Sequence, residues 1–187
     1  LRGRKGGAVV VPVSVPSVVE RVAMRLGGRV VYVKATSQTL TSAASQDGVA
    51  LVGDGGGVYG GGSFVFPQLH PAYDGMFALM KLLEALAKYD TKLSAVVDDL
   101  PPYYVVRTQV TCPWEEKGKV MRMLTEQYRS KASDLIDGVK IEPEDGEWVL
   151  IQPDADRPLF HVIAEAQSHE TSQALVDKYA RVVLNLQ

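Results

Sequence analysis

The run Gln152-Pro153-Asp154-Ala155-Asp156-Arg157-Pro158 sets two carboxylates and a guanidinium close together. Paired carboxylates at that spacing suit acid–base work or a bound cation. Asp and Pro are also the residues of a solvated turn, and that is the simpler account of the run. A second candidate lies between Gly48 and Gly62, which holds eight of the chain's 17 glycines. Backbone amides of such a stretch can cradle an anion in a nest. No Gly-Lys-Ser/Thr follows, so a mononucleotide loop is excluded. A strand rather than a helix follows, so a dinucleotide fingerprint is excluded too. A flexible strand-to-strand loop is the plain alternative. His70, His161 and His169 share no metal-ligand spacing with one another or with Cys112, which argues against zinc. His70, beside the glycines, is kept as an additional site candidate. His161 alternates within a strand and reads as a partly exposed sheet residue. Cys112 precedes Pro113 without a neighbouring base and reads as an inert thiol. No catalytic residue and no metal ligand is assigned.

The elements that must position these residues divide at Pro101-Pro102, the best boundary in the chain. Before it, the apolar, β-branched run Ala8–Val13 predicts a strand buried on both faces, with Pro12 at a sheet edge or strand end. Ser17 and Glu20 have capping-box spacing, Val18, Val22 and Leu26 recur every fourth residue, and Gly27-Gly28 supplies a stop. Arg29–Lys34 and Val49–Val52 read as further strands, giving a β-α-β unit with a parallel sheet. After a short strand at Ser63–Phe66, Asp74 stands before a helix on which Met76, Leu79, Leu82, Leu83 and Leu86 form one apolar stripe. A shorter helix covers Leu93–Leu100. Beyond the prolines, a strand at Tyr103–Thr111 leads to a helix from Pro113 to about Lys131, with Val120, Leu124 and Tyr128 inward. Lys117, Lys119, Arg122, Arg129 and Lys131 make that helix basic, offset by Glu115, Glu116 and Glu126, and read as a solvated face. A hairpin joins Gly138–Glu142 to Glu147–Gln152 around Asp145-Gly146. Leu159–Ala164 is a strand and Thr171–Leu186 the closing helix. The expected fold is an α/β domain with a mostly parallel sheet at 1–101. A small α+β domain with an antiparallel sheet, β-α-β-β-β-α, follows at 102–187.

Composition sets limits on function. Twenty basic and 22 acidic residues leave a formal charge of −2, without a block of like charge. That excludes a non-specific nucleic-acid or anionic-membrane binder. The longest apolar run, Met76–Met80, is five residues, far short of a membrane span. A single cysteine rules out an internal disulfide and fits a reducing, cytoplasmic compartment. The stretch Leu1–Gly7 has neither an initiator Met nor the apolar core of a secretion signal, and reads as the start of a piece of a longer protein.

The order of these signals carries a resemblance. Gly55–Pro67, His70-Pro71-Ala72-Tyr73-Asp74-Gly75-Met76-Phe77-Ala78-Leu79 and Pro101-Pro102-Tyr103-Tyr104 resemble the third domain of the α-D-phosphohexomutases. Asp137-Gly138-Val139-Lys140, Gly146–Ile151 and Pro158–Ala166 resemble their fourth, C-terminal domain. The run Cys112-Pro113-Trp114-Glu115-Glu116-Lys117-Gly118-Lys119-Val120-Met121-Arg122 is similar to a branch fused to a mannose-1-phosphate guanylyltransferase, a sugar-nucleotide pyrophosphorylase.

The resemblance implies sugar-phosphate metabolism, with altered sites. The family's phosphoserine loop and its Asp-rich magnesium loop precede this region and are not in the chain. The chain alone is therefore expected to have no mutase activity and no cofactor, magnesium belonging to the complete parent enzyme. Its partners would be the parent's N-terminal domains, sugar phosphates or sugar nucleotides, and other copies in an oligomer. At the family's sugar loop, Tyr59, Gly61 and Ser63 stand where Glu, Ser and His are usual. At its phosphate loop, usually Arg-Pro-Ser-Gly-Thr-Glu-Pro, Gln152 replaces Arg, Asp154 and Asp156 replace the hydroxyl donors, and Arg157 replaces Glu. An ionised carboxylate only accepts hydrogen bonds and repels a phosphate at about 4 Å by about 1 kcal/mol even in water. Arg157 is the one residue of the run that could pair with phosphate. The loop is expected to be dead or repurposed, and the chain to serve as a fragment of the enzyme or as a scaffolding or sensing module.

Overall fold

The computed structural model describes residues 6–55, 62–130 and 132–187. The chain forms two compact units that divide between Pro102 and Tyr103.

The first unit contains β1 (Ala8–Pro12), α1 (Val18–Arg25), β2 (Arg29–Val33), α2 (Ser37–Ala44), β3 (Val49–Gly53), β4 (Phe64–Val65), α3 (Gly75–Lys88) and α4 (Leu93–Asp98). Its sheet runs β2-β1-β3-β4, with β1 parallel to both neighbours and β4 antiparallel at the edge. All five residues of β1 are buried, as a central strand covered on both faces requires. Pro12 is its last residue, where a missing N–H costs least. Ala8 and Val10 pack with Leu40, Ala43 and Ala44 of α2. Val9 and Val11 pack on the other face with Val15, Val19 and Val30.

One expectation for this unit is corrected, and two further features add to the sequence reading. Ser17 does sit at the N-cap of α1, but in helical backbone and with no side-chain cap hydrogen bond, so the capping box does not form. Helix α2 was not anticipated, because Ser-Gln-Thr-Leu-Thr-Ser-Ala-Ala carries a single large apolar residue. Its start is set locally, by Thr36 Oγ1 accepting from the Thr39 N–H at 3.2 Å. Finally, the apolar stripe of α3 is not buried: Met76, Leu79 and Leu83 are 79, 57 and 56 % exposed. The five stripe residues do share one side of α3, but none of the helix's residues is buried, and its aromatic contact is Phe77 edge-on to Phe66. Asp74 caps this helix as its position suggests, accepting from the Phe77 N–H at 2.8 Å.

The second unit contains β5 (Tyr104–Thr111), α5 (Trp114–Tyr128), β6 (Ala132–Asp134), β7 (Val139–Ile141), β8 (Trp148–Pro153), β9 (Leu159–Ala166) and α6 (His169–Asn185). The sheet order is β5-β9-β8-β7-β6, and every neighbouring pair is antiparallel. It has one strand more than expected. Strand β6 is three residues of Ala-Ser-Asp, too short and too polar to show a period. One sheet face builds the core: Ile151, Phe160, Val162 and Ala164 pack with Val120 and Leu124 of α5 and with Val176, Tyr179 and Val183 of α6. The two-residue period sends Trp148, Leu150, Gln152, His161, Ile163 and Glu165 to the other face. They too are buried, and there the Trp148 indole donates to Glu165 Oε2 at 2.9 Å. The turn between β7 and β8 uses Gly146 at φ +79°. Gly138, at φ +123°, lets β7 lie close against β8: a Cβ there would stand 2.3 Å from the Ile151 carbonyl oxygen.

Candidate functional site

Strands β8 and β9 pair up to Pro153 opposite Phe160, so the acidic run is the loop that joins them. The Asp154 N–H donates to the Leu159 carbonyl at 3.0 Å and the Leu159 N–H to the Arg157 carbonyl at 2.9 Å, which closes the loop on itself. The Cys112 N–H donates to the Pro158 carbonyl at 2.8 Å and ties the loop to the start of α5.

The Asp154 side chain turns inward and is 4 % exposed. Its Oδ1 accepts the backbone N–H groups of Asp156 and Arg157, both at 2.9 Å. Its Oδ2 accepts Arg157 Nε at 3.1 Å, Arg157 Nη2 at 3.0 Å and His161 Nε2 at 2.7 Å. Burial by itself would raise the Asp154 pKa. The hydrogen bonds from Asp156, His161 and Arg157 outweigh it and hold the carboxyl well below the usual carboxylate range. With the carboxylate ionised, His161 Nε2 is the protonated nitrogen. Its Nδ1 is buried and finds no hydrogen-bond partner among the described residues.

Lys117 completes the cluster from below. Its Nζ donates to the Asp154 carbonyl and, at 2.9 Å, to the Arg157 carbonyl. The ammonium also lies 4.1 Å from the Trp114 ring centroid, a cation–π distance. Sequence reasoning put Lys117 on a solvated face and His161 partly in water, and both are corrected: each is buried. Lys117 stands at i with Val120 and Leu124 at i+3 and i+7, so the inward stripe of α5 already contained it. His161 faces Gln152 across the β8–β9 ladder, two residues before Asp154.

The remaining candidates are placed as follows. Gln152 is buried and its Nε2 donates to Asp137 Oδ2 at 2.5 Å. Asp156 is exposed and meets Asp154 through its backbone N–H. Ser63 is half-buried, with its N–H donating to Asp54 Oδ1 at 2.8 Å and its carbonyl accepting from the Asp54 N–H at 3.0 Å. Tyr59 and Gly61 lie outside the described residues. His70 is exposed and its Nε2 stands 3.7 Å from Asp74 Oδ2, a loose approach to a residue already capping α3. Cys112 is fully buried, and burial pushes its thiol pKa up despite the nearby Lys117 cation. Among the described residues no group of three His, Cys, Asp or Glu side chains converges as a metal site. Nor is any helix among them long and apolar enough to cross a membrane.

Residues 1–104 match the family model for phosphoglucomutase/phosphomannomutase, alpha/beta/alpha domain III. The chain belongs to that family. A probable phosphoglucosamine mutase of Methanopyrus kandleri is 31 % identical over 179 residues, covering 95 % of this chain and 38 % of the relative. A phosphoglucosamine mutase of Methanocaldococcus jannaschii is 30 % identical over 132 residues, 67 % of this chain and 29 % of the relative. The chain thus spans well under half the length of these curated relatives. Among solved structures, a phosphoglucomutase/phosphomannomutase family protein of Burkholderia thailandensis superposes with a TM-score of 0.77 at 20 % identity. That superposition covers 97 % of this chain and 38 % of the other. An N-acetylphosphoglucosamine mutase of Aspergillus fumigatus gives a TM-score of 0.67 at 12 % identity, covering 96 % of this chain and 38 % of the other. At such identities the superpositions speak for the fold, an α/β domain followed by an antiparallel α+β domain.

Proposed function

We propose that this chain is the C-terminal half of the mutase-like region of a sugar-phosphate enzyme, with no mutase activity of its own. In that enzyme it closes or scaffolds the cleft without gripping phosphate through its own loop. The observation that carries the reading is the Asp154 carboxylate, which takes up the two loop N–H groups and the Arg157 guanidinium. Those are the loop's means of holding a phosphate, and each has an acceptor within the protein. The names of the curated relatives favour a hexosamine phosphate as the parent's substrate class. Magnesium, the phosphoryl carrier and the remaining sugar contacts would come from the parent's N-terminal domains, in the cytoplasm.

A more specific reading attaches this region to a sugar-nucleotide pyrophosphorylase, which it would hold in its oligomer or render sensitive to sugar nucleotides. The Cys112–Arg122 run favours it, whereas the curated relatives cited above are named as a probable phosphoglucosamine mutase and a phosphoglucosamine mutase. Calorimetry of hexose 1-phosphate into the full-length polypeptide tests the first reading. Heat that survives Arg157→Ala fits a scaffold, and heat abolished by it contradicts a closed loop. Deleting residues 1–187 of this numbering tests the second: an attached nucleotidyltransferase with unchanged kinetics and unchanged oligomeric state would remove it.

A further inference from the structure

We infer that β5 is an interface strand through which two copies of this chain pair, antiparallel about a two-fold axis at Thr108, joining their five-stranded sheets into one. The second sheet has unequal edges. At one edge β6 is three residues long, a usual protection for a strand that stays in water. At the other, β5 is eight residues long, carries no proline and has Arg107 as its one charge. It pairs with β9 along its whole length without a bulge, and among the described residues no strand lies on its other side. The Cys112 N–H reaches the Pro158 carbonyl in the same ladder, so the even-numbered residues bond to β9. Val105, Arg107, Gln109 and Thr111 therefore turn their backbone groups outward.

Symmetry selects the register. A two-fold axis normal to the sheet sets outward-turned residues opposite one another. Centred on Arg107 it would oppose two guanidinium groups, and centred on Val106 or Gln109 it would use only part of the strand. Centred on Thr108 it sets Arg107 opposite Gln109 and Val105 opposite Thr111. The Gln187 amide, which takes the Thr111 carbonyl, then marks the end of the new ladder.

Helix α6 fits the same axis. Ser172 Oγ donates to the Tyr104 carbonyl and Gln187 Nε2 to the Thr111 carbonyl, both at 2.7 Å, so the helix runs along β5 with Ala180 level with Thr108. It lies over β5 and β9, about one strand spacing from the axis, so the two copies' helices would stand about 10 Å apart, a packing distance. The flank of α6 toward α5 carries Leu175, Val182 and Leu186, which pack into the core. The opposite flank, beside the open edge, carries Ala180 at the axis and Leu184, 54 % exposed, one turn on. Ala180 is small enough to let the helices approach, Leu184 covers the other copy's Ala180, and Arg181 comes within a turn of the other copy's Asp177. The inference stands independently of the β8–β9 loop.

The test joins light scattering of the 187-residue chain to a site-specific cross-link. Wild type is expected at twice the mass of one chain at micromolar concentration, and Leu184→Glu, at an exposed position, should halve that mass with circular dichroism unchanged. Thr108→Cys sets two thiols across the axis in a non-hydrogen-bonded pair, with Cα atoms about 4.5 Å apart and within disulfide range. Under diamide it should become mainly a disulfide-linked dimer. Gln109→Cys, which would face the other copy's Arg107, should stay unlinked, and the native Cys112 is fully buried and silent in both. A monomeric wild type overturns the inference. A dimer undiminished by Leu184→Glu, or a Gln109→Cys chain that links as readily as Thr108→Cys, puts the contact on another face and overturns it as well.

Discussion

Replacing Asp154 by Asn removes one charge and almost no volume, and isolates what the carboxylate contributes. In the wild type each oxygen is an acceptor, one for two backbone N–H groups and one for Arg157 and His161. A carboxamide offers one oxygen and one NH2, so one of these donor sets faces another donor. Hydrogen bonds to charged groups contribute about 1.5–3 kcal/mol each, and breaking a buried ion pair from one side costs about 3–5 kcal/mol. Arg157 reaches water and recovers part of its loss, so we expect about 3 kcal/mol. For a domain of roughly 60–100 residues that lowers Tm by about 12–24 °C. Both tryptophans, Trp114 and Trp148, belong to the second unit, so fluorescence-detected urea and thermal unfolding report on it directly. The pH dependence is a second readout. The folded pKa of Asp154 lies below its unfolded value of about 3.9. Its contribution is therefore complete above that value and is lost as pH falls through the folded pKa. Wild type should weaken steeply below about pH 4, and Asp154→Asn should show a shallower acid limb. A loss under about 0.5 kcal/mol with an unchanged acid limb would refute the reasoning.

Further expectations follow from the packing. Gly138→Ala should cost about 3 kcal/mol or more, because a Cβ would stand 2.3 Å from the Ile151 carbonyl oxygen at a φ of +123°; an unchanged urea midpoint would contradict that close approach. Phe160→Ala should cost about 3–5 kcal/mol by opening a cavity in the fully buried core of the second unit, read from the same midpoint. Cys112 should ignore a thiol reagent until the second unit unfolds, since it is fully buried with a raised pKa; rapid labelling of folded protein would show otherwise. Trp148→Phe should cost about 1–3 kcal/mol by stripping the buried Glu165 carboxylate of its indole donor, and Glu165→Gln should cost less.

What the sequence revealed depended on whether a residue's partner lay nearby in the chain. Strand β1, the Asp74 cap and the Asp145-Gly146 hairpin rest on local periods and turn chemistry, and they appear where expected. Helix α2 and strand β6 were missed because neither carries an apolar period, and each is held by its neighbours instead. The Met76–Leu86 stripe was legible as amphipathic, yet periodicity says only that a face is apolar, not that this chain covers it. At the site, Asp154 and Arg157 were visible as a charged run, but their inward turn was not. That turn needs Lys117, 37 residues away in sequence, and His161 across the ladder. The stripe of α5 could have marked Lys117 as inward, but no spacing reveals which carbonyls its ammonium meets.

The most direct measurement is a titration of inorganic phosphate and hexose 1-phosphate into the ¹⁵N-labelled chain, following the backbone amides of Asp156 and Arg157. These are the N–H groups that Asp154 Oδ1 occupies at 2.9 Å. A loop closed by its own carboxylate predicts resonances that do not move with either ligand. Saturable shifts of both amides in the wild-type chain would contradict the account.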